Sequence, residues 1–237
     1  MIAFLRYIFS WILYMGSWGS GVVGAALLGV RHRPGGIYDR SGREWGKGML
    51  RGCRIAVRVE GRERLDPAAP AVYISNHCSE IDIWALLAEL PGSVRFVYKK
   101  GMDWIPLMGL AMRRAKHIPI KRQVKSLAFS AYEDAAIMIR SGISAVVFAE
   151  GTRSRDGRLQ PFKRGPFVLA IAAQVPVVPV LCGGTFDLMP KGSWRPRPGT
   201  VTIRIGEPIP TTGMNYDDRG RLADLTRKQL LAMGARE

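Results

Sequence analysis

The sequence predicts an α/β fold, in which a mixed, largely parallel sheet is flanked by helices and preceded by an N-terminal membrane-associated helical segment. Three observations predict it. The first thirty residues carry almost no charge, short β-branched runs alternate with longer helical patterns in the rest of the chain, and no internal repeat occurs. Strands that alternate with helices typically form helix-covered sheets. We therefore expect a membrane segment over residues 1–33 and one α/β domain over residues 34–237.

The N-terminal segment is long enough for a bilayer. No residue is charged from Tyr7 to Val30, a run of 24 residues, and about 20 apolar residues cross the hydrocarbon core as a helix. A cleaved signal peptide is the rival, but its apolar region would be only ~7 to 15 residues long. Glycines could bend the segment into a re-entrant pair of short helices, although we favour close helix packing as their purpose. These glycines are Gly16, Gly19, Gly21 and Gly24.

The charge of the chain predicts a negatively charged partner. Lys and Arg number 35 against 19 Asp and Glu, which gives a formal charge of +16 and leaves nucleic acid, anionic lipid and phosphorylated substrates open. Basic residues concentrate after the apolar segment, so the positive-inside rule predicts a cytoplasmic domain at a bacterial-type inner membrane. The three cysteines lack a CxxC pair and predict neither a disulfide framework nor a zinc site. They are Cys53, Cys78 and Cys182.

The elements of the domain follow from hydrophobic periodicity. Residues 31–49 are predicted to be a polar, glycine-containing link, and residues 190–198, rich in proline and glycine, a surface loop. The predicted strands lie near residues 53–59, 71–75, 94–98, 117–120, 144–149, 176–181 and 200–205. The predicted helices lie near residues 81–90, 104–114, 124–140, 165–174 and 217–232.

His77 and Asp82 form the first candidate site, in a polar turn between a predicted strand and a predicted helix. On one continuous helix, residues five apart point in directions that differ by ~140°, so the two side chains could not meet. They can meet only if His77 precedes the helix and folds back over its first turns. Asp82 would then orient the imidazole, which could take a proton from a substrate hydroxyl. A capping or core histidine is the plain alternative, and Cys78 as a thiol nucleophile is another.

The segment Asn76 to Asp82 resembles the Asn-His-x4-Asp block of the glycerolipid acyltransferase superfamily, in particular the 1-acyl-glycerol-3-phosphate acyltransferases. Three further blocks occur in the order that this family has. Residues 99–109 and 117–122 resemble the second block, in which Arg122 takes the place of a head-group arginine. Lys121 replaces the usual acidic residue there, and a solvated strand end is the plain alternative for both cations.

Residues 147–154 resemble the third block, Phe-Pro-Glu-Gly-Thr-Arg-Ser, with Ala149 in place of the proline. Gly151 permits close backbone approach, Thr152 can hydrogen-bond, and Arg153 can bind a phosphate. Glu150 could hold that arginine or contact the substrate glycerol, and an ordinary structural turn is the alternative. Lys163 and Arg164 extend the positive surface. Residues 175–180 resemble the fourth block, for which we favour core packing over lining of the acyl path.

The resemblance implies an activity. His77, oriented by Asp82, would act as general base on the free sn-2 hydroxyl of a 1-acyl-glycerol-3-phosphate, and the alkoxide would attack an acyl thioester of coenzyme A or acyl carrier protein. The substrate-binding residues would be Lys121, Arg122, Glu150, Gly151, Thr152 and Arg153. No cofactor and no metal would be required, and the partners would include anionic membrane lipid but no nucleic acid. The same chemistry on lyso-ornithine lipid or glycerol 3-phosphate, and a non-enzymatic, membrane-tethered binder of anionic ligands, remain alternatives.

Overall fold

A seven-stranded sheet forms the centre of the protein in the computed structural model, which describes residues 1–120 and 125–237, with the backbone alone for residues 125–131. The strand order is β1-β7-β6-β2-β5-β3-β4. All neighbours are parallel except β6 and β7, so the predicted mixed, largely parallel sheet is confirmed. The strands are β1 (Ile55–Glu60), β2 (Val72–Ser75), β3 (Ser93–Lys99), β4 (Ile118–Ile120), β5 (Ile143–Phe148), β6 (Val177–Gly183) and β7 (Gly199–Ile205).

Helices cover both faces of the sheet. Side chains of the first three helices pack with Tyr73, Val146 and Val178 on one face, whereas α5, α6 and α8 pack over Ile74 and Val147 on the other. The helices are α1 (Ile2–Leu27), α2 (Ile37–Cys53), α3 (Ile81–Glu89), α4 (Met108–Arg114), α5 (Lys125–Arg140), α6 (Gly165–Ala173), α7 (Thr185–Leu188) and α8 (Arg219–Ala232). The central strand β2 is buried along its whole length, and the turn that follows it carries His77.

The predicted link over residues 31–49 is wrong, because α2 occupies most of it. Its glycines had suggested a loop, but they let neighbouring helices approach closely. A Cβ at Gly46 would lie 2.6 Å from the carbonyl oxygen of Trp84 in α3, and one at Gly48 would collide with the ring of Tyr14 in α1. The predicted helix over residues 104–114 also begins later, at Met108, since residues 100–104 form a 3-10 turn.

The N-terminal segment is a single helix, α1, which its glycines do not interrupt, so the re-entrant alternative is wrong. Close packing explains Gly19, where a Cβ would lie 2.5 Å from the Leu107 side chain, but the other three glycines of the segment face open space. One side of α1 is buried and includes Tyr7 and Trp18, while the other exposes large apolar residues such as Phe9. Within the described residues, no helix has both the length and the apolar character that crossing a membrane requires, so the predicted span is not confirmed.

Candidate active site

His77 meets Asp82 in the way that the helical geometry requires. The chain leaves β2 at Ser75 and enters α3 at Ile81, and His77 lies in the intervening turn. Its Nδ1 is 2.9 Å from Asp82 Oδ2. The same oxygen accepts hydrogen bonds from the backbone N–H groups of Cys78 (2.7 Å) and Ser79 (2.8 Å). Because Asp82 Oδ2 already accepts two hydrogen bonds, we assign its contact with His77 as a third, which the ring donates through Nδ1–H.

This assignment determines what the imidazole can do. With its proton on Nδ1, the neutral ring has its lone pair on Nε2, which is the form of a general base. The His77 side chain is 13% exposed, whereas Asp82 is fully buried. The carboxylate therefore interacts with the ring and the turn rather than with solvent, and it lies in the first turn of α3, where the helix dipole favours negative charge.

The third block supports the His77 turn from the neighbouring strand. Because β2 and β5 are parallel and paired, with Ser75 opposite Phe148, their carboxyl ends meet at one edge of the sheet. The His77 ring stacks on Phe148 with ring centroids 3.8 Å apart. The backbone N–H of His77 donates to Glu150 Oε1 at 2.7 Å, and its carbonyl accepts from the Ser154 N–H at 2.7 Å. The first and third blocks thus form one structural unit.

Asn76 is a positioning residue that the sequence analysis did not single out. Its side chain makes a reciprocal pair of hydrogen bonds with the backbone of Cys182 on β6: the amide donates at 3.0 Å and the Oδ1 accepts at 2.8 Å. The bonded residues are 106 positions apart, so only the asparagine of the motif itself could have drawn attention to the role. The pair fixes the start of the His77 turn to the central sheet.

Glu150 serves as a buried support. Its Oε1 accepts from the His77 N–H and its Oε2 from the Gln160 N–H at 3.0 Å. Burial raises the pKa of the Glu150 carboxyl to about 7, against a weaker lowering by those two hydrogen bonds. The carboxylate that pairs with Arg153 is Glu80, at 3.1 Å. The prediction that Glu150 holds this arginine is therefore wrong, whereas its alternative contact with the substrate glycerol stays a prediction.

The raised pKa of Glu150 predicts a pH-dependent stability. In the unfolded chain this carboxyl ionises near its ordinary pKa of 4.5, whereas in the folded protein it holds its proton up to about 7. Between these values the folded protein binds more protons, so the free energy of unfolding falls as the pH rises, and it levels off above about 7. The fall amounts to ~3 kcal/mol at most.

Thermal unfolding of Glu150→Gln across this pH window, compared with the unsubstituted protein, measures the contribution. The variant is expected to lose this part of the pH dependence, whereas Glu63→Gln, at an exposed carboxyl, should keep it. An unchanged slope in Glu150→Gln would mean that Glu150 is already ionised at the lower end of the window.

Arg153 is placed beside the His77 turn by two other side chains. Glu80, within the first block, binds the Arg153 guanidinium through Oε1 and accepts the Tyr7 hydroxyl through Oε2 at 2.8 Å. Burial, followed by the Glu80 charge, raises the pKa of the Tyr7 phenol and keeps it a donor. Thr152 accepts a hydrogen bond from Lys191, and Gly151 adopts a positive φ of 77°. The turn thus presents Arg153 next to His77 and connects it to α1.

An apolar cavity of about 390 Å³ reaches this site. His77, Phe148 and the turn at residues 151–153 contribute to its lining. The remaining lining is mostly apolar and comes from α1 to α4 and β3, with Trp18, Trp45, Leu87, Phe96 and Met112 among its side chains. The volume is within the usual range for ligand sites, ~300 to 1,000 Å³. The fourth block does not line it, and Val177, Val178 and Val180 are buried in the core, as we expected.

Cys78 is poorly suited to be a nucleophile. It is buried, and burial raises the pKa of its thiol to about 12, with further contributions from the charges of Asp82 and Glu150. A thiolate is the reactive form, so almost none is available near neutral pH. All three cysteines are free and buried.

The remaining predicted cations are not part of the described site. Lys121 and Arg122 lie outside the described residues, so their placement stays a prediction. Arg164 lines a separate cavity of about 280 Å³ against α8, and Lys163 is exposed. Among the described residues there is no group of three or more His, Cys, Asp or Glu side chains arranged to hold a metal ion.

Comparison with known families identifies the chain. The acyltransferase family model matches residues 56–183, which is more than half of the sequence. The chain belongs to the acyltransferase family. The matched region contains the whole His77 turn and the third block, whereas α1, α2 and the segment after residue 183 of this acyltransferase lie outside it.

Individual relatives agree with this assignment. The chain is 36% identical over 180 residues to human 1-acyl-sn-glycerol-3-phosphate acyltransferase alpha and 37% identical over 164 residues to 1-acyl-sn-glycerol-3-phosphate acyltransferase of Limnanthes douglasii. These matches cover 76% and 69% of this chain, but only 64% and 58% of those proteins. The crystal structure of the 1-acyl-sn-glycerophosphate (LPA) acyltransferase PlsC of Thermotoga maritima matches with a TM-score of 0.80 at 27% identity, over 99% of this chain and 96% of that one.

Proposed function

We propose that this acyltransferase transfers an acyl chain from an acyl thioester to the free sn-2 hydroxyl of 1-acyl-glycerol-3-phosphate, which yields phosphatidic acid for phospholipid biosynthesis. The observation that carries the proposal is the hydrogen bond between His77 and Asp82, because the His77 side chain lies beside Arg153 and lines an apolar cavity. The names of the relatives agree with this acceptor.

The chemistry follows from the assigned tautomer. Nε2 of His77 takes the proton of the acceptor hydroxyl as its oxygen attacks the thioester carbonyl, and Asp82 stabilises the imidazolium that forms. The tetrahedral intermediate collapses by breaking its carbon–sulfur bond. The departing sulfur takes the proton from His77, so that an ester and a free thiol leave and the neutral imidazole is regenerated. His77 is thus the catalytic residue, and Asp82 orients it.

Positive charge positions the acceptor in this proposal. Arg153 binds the phosphate through a two-pronged contact, which holds the hydroxyl near His77, and Arg122 adds to the site as the second block implies. Gly151 and Thr152 shape the same turn, and Lys121 contributes charge. The cavity along α1 to α4 takes the acyl chain, because its lining is mostly apolar. The cosubstrate is acyl-coenzyme A or acyl carrier protein, and no metal or other cofactor takes part.

The site would act at a membrane surface. One side of α1 exposes Phe4, Phe9, Ile12 and Leu13, and basic residues such as Arg31 and Arg33 follow the helix. Apolar side chains next to basic ones suit an anionic lipid surface. We propose that residues 1–33 associate with the membrane and that the domain faces the cytoplasm at a bacterial-type inner membrane.

Thiol release tests the proposal directly. The full chain, purified in detergent, is mixed with acyl-coenzyme A or acyl carrier protein and with lysophosphatidate, lyso-ornithine lipid or glycerol 3-phosphate in parallel. We expect release that depends on lysophosphatidate. Release with another acceptor only would overturn the proposed substrate but keep the chemistry, and no release with any combination would favour a non-enzymatic binder.

The same assay distinguishes direct attack by the acceptor hydroxyl from attack by the Cys78 thiol. Because the Cys78 thiol is buried and its pKa is raised to about 12, Cys78→Ala is expected to retain most of the activity. Iodoacetamide should also leave the unsubstituted enzyme active. If Cys78→Ala lost all transfer while remaining folded, a covalent thioester on Cys78 would have to replace general-base catalysis by His77.

A further inference from the structure

The segment between α7 and β7 lies against the His77 site. Met189 accepts a hydrogen bond through its carbonyl from the Ser79 hydroxyl at 2.7 Å, and Arg197 donates its N–H to the Leu188 carbonyl at 2.9 Å. Trp194 packs edge-on against Tyr7, with ring centroids 6.0 Å apart. The segment is therefore fixed to the first block and to α1, although it lies beyond the family match at residues 56–183.

Lys191 extends from this segment to the third block. Its Nζ donates to Thr152 Oγ1 at 3.0 Å and to the Arg153 carbonyl at 3.2 Å. Both acceptors belong to the turn that presents Arg153, and both residues line the cavity that includes His77. An ammonium group has three donors, so these two bonds leave one for a ligand. The side chain is half-buried, which limits how far it can move from the turn.

The charge around Lys191 is not balanced locally. Arg153 has the Glu80 carboxylate as its counter-ion. No ion pair within the part of the chain that the structure describes includes Lys191, whose two acceptors are uncharged oxygens. Of these two cations, Arg153 alone has a carboxylate within ion-pair distance among the described residues, so positive charge is in excess at the turn. Such an excess favours an anionic ligand with more than one negative charge.

We propose that Lys191 is a positioning and specificity residue for the phosphate of the acceptor. It fixes the Thr152 and Arg153 turn through two hydrogen bonds and supplies a second positive charge beside the guanidinium. A phosphate monoester binds both cations, whereas a phosphate-free lysolipid gains nothing from Lys191. This role rests on the proposed function, because it concerns the acceptor of the same site.

Steady-state kinetics with two acceptors test the role. Lys191→Met keeps the aliphatic stem but removes the charge, Lys191→Arg restores a charge, and Arg195→Met is the matched control. Arg195 lies on the same segment and is exposed, and its described hydrogen bond is made by its backbone N–H, to Ser193. Each variant is assayed with lysophosphatidate and with 1-acyl-glycerol, which lacks the phosphate.

We expect Lys191→Met to raise KM for lysophosphatidate about tenfold, as loss of one charge-assisted hydrogen bond implies. The kcat with lysophosphatidate and both constants with 1-acyl-glycerol should stay close to those of the unsubstituted enzyme. Lys191→Arg should recover most of the affinity, and Arg195→Met should change little. Equal losses of kcat on both acceptors would overturn the proposal, because they would show that Lys191 only braces the turn.

A binding measurement distinguishes failure of the proposed Lys191 role from failure of the proposed function. Glycerol 3-phosphate is titrated calorimetrically into the unsubstituted chain and into Lys191→Met. Weaker binding to the variant supports the role of Lys191 even if no acyl transfer is detected, in which case only the proposed function fails. Equal binding to the two proteins overturns the role of Lys191 and leaves the proposed function standing on the thiol-release assay.

Discussion

Replacing His77 by alanine is expected to lower kcat/KM for acyl transfer by about 10²- to 10⁴-fold, the usual contribution of a positioned general base. Asp82 holds the imidazole by a hydrogen bond to Nδ1, and the ring lines the apolar cavity. Without it, the acceptor hydroxyl must attack the thioester while keeping its proton. Acceptor-dependent thiol release, measured at saturating thioester, gives the rate.

His77→Asn is the sharper variant, because it removes the base but can keep the hydrogen bond to Asp82. Its amide can donate to Asp82 in the place of Nδ1–H, and its backbone bonds to Glu150 and Ser154 do not depend on the side chain. It has no group that can accept the hydroxyl proton as Nε2 does. We expect His77→Asn to be as inactive as His77→Ala and to unfold at a temperature closer to that of the unsubstituted protein.

One result would contradict this account. If His77→Asn kept kcat/KM within about tenfold of the unsubstituted value, general-base catalysis by His77 would fail as an explanation. Loss of the side-chain hydrogen bond to Asp82, which asparagine can still donate, could then explain any defect in His77→Ala. The unfolding temperatures of the two variants distinguish these cases, since loss of the Asp82 hydrogen bond is expected to lower the stability of His77→Ala below that of His77→Asn.

The sheet was predictable because its central strands carry their pattern locally. All four residues of β2 are buried, and a short apolar run bounded by polar turns indicates such a strand without further information. Helix α2, by contrast, was not predictable from its local sequence. Gly46 and Gly48 weaken a helix by intrinsic propensity, and the reason for them, close contact with Trp84 and Tyr14, exists only in three dimensions.

The site was predictable as far as it lies within contiguous blocks. Helical geometry alone predicts that His77 and Asp82 can meet only if His77 precedes the helix, and the structure has this arrangement. The contacts that hold Arg153 were not predictable in this way. Glu80 is one of the four positions that the motif of the first block leaves unspecified, 73 residues from Arg153, and Lys191 lies outside every block. Neither has a local pattern that distinguishes it from other surface charges.

Asp82→Asn is expected to lower kcat by about 10⁴-fold, the scale of replacing the orienting acid of a hydrolase triad by its amide. The backbone N–H groups of Cys78 and Ser79 point at Oδ2. The amide oxygen of the variant must therefore take the place of Oδ2, because an NH₂ group there would face two other donors. The oxygen can still accept from His77 Nδ1–H. It is neutral, however, and no longer stabilises the imidazolium that forms when His77 takes the proton.

The same orientation predicts a modest loss of stability. The NH₂ group must occupy the place of Oδ1, which is buried and has no hydrogen-bond partner among the described residues. A buried donor without an acceptor costs about 1–3 kcal/mol, so the variant should unfold at a lower temperature but remain folded. Asp66→Asn, at an exposed loop carboxylate, is the control and should leave both kcat and the unfolding temperature unchanged.

The two measurements together define what Asp82 does. A large fall in kcat with a small fall in stability means that the negative charge acts on the imidazolium during the reaction. If stability falls while kcat remains within about tenfold, the carboxylate serves to hold the turn that precedes α3. His77 would then act as a base without a charged partner, and the tautomer would be held by the hydrogen bond alone.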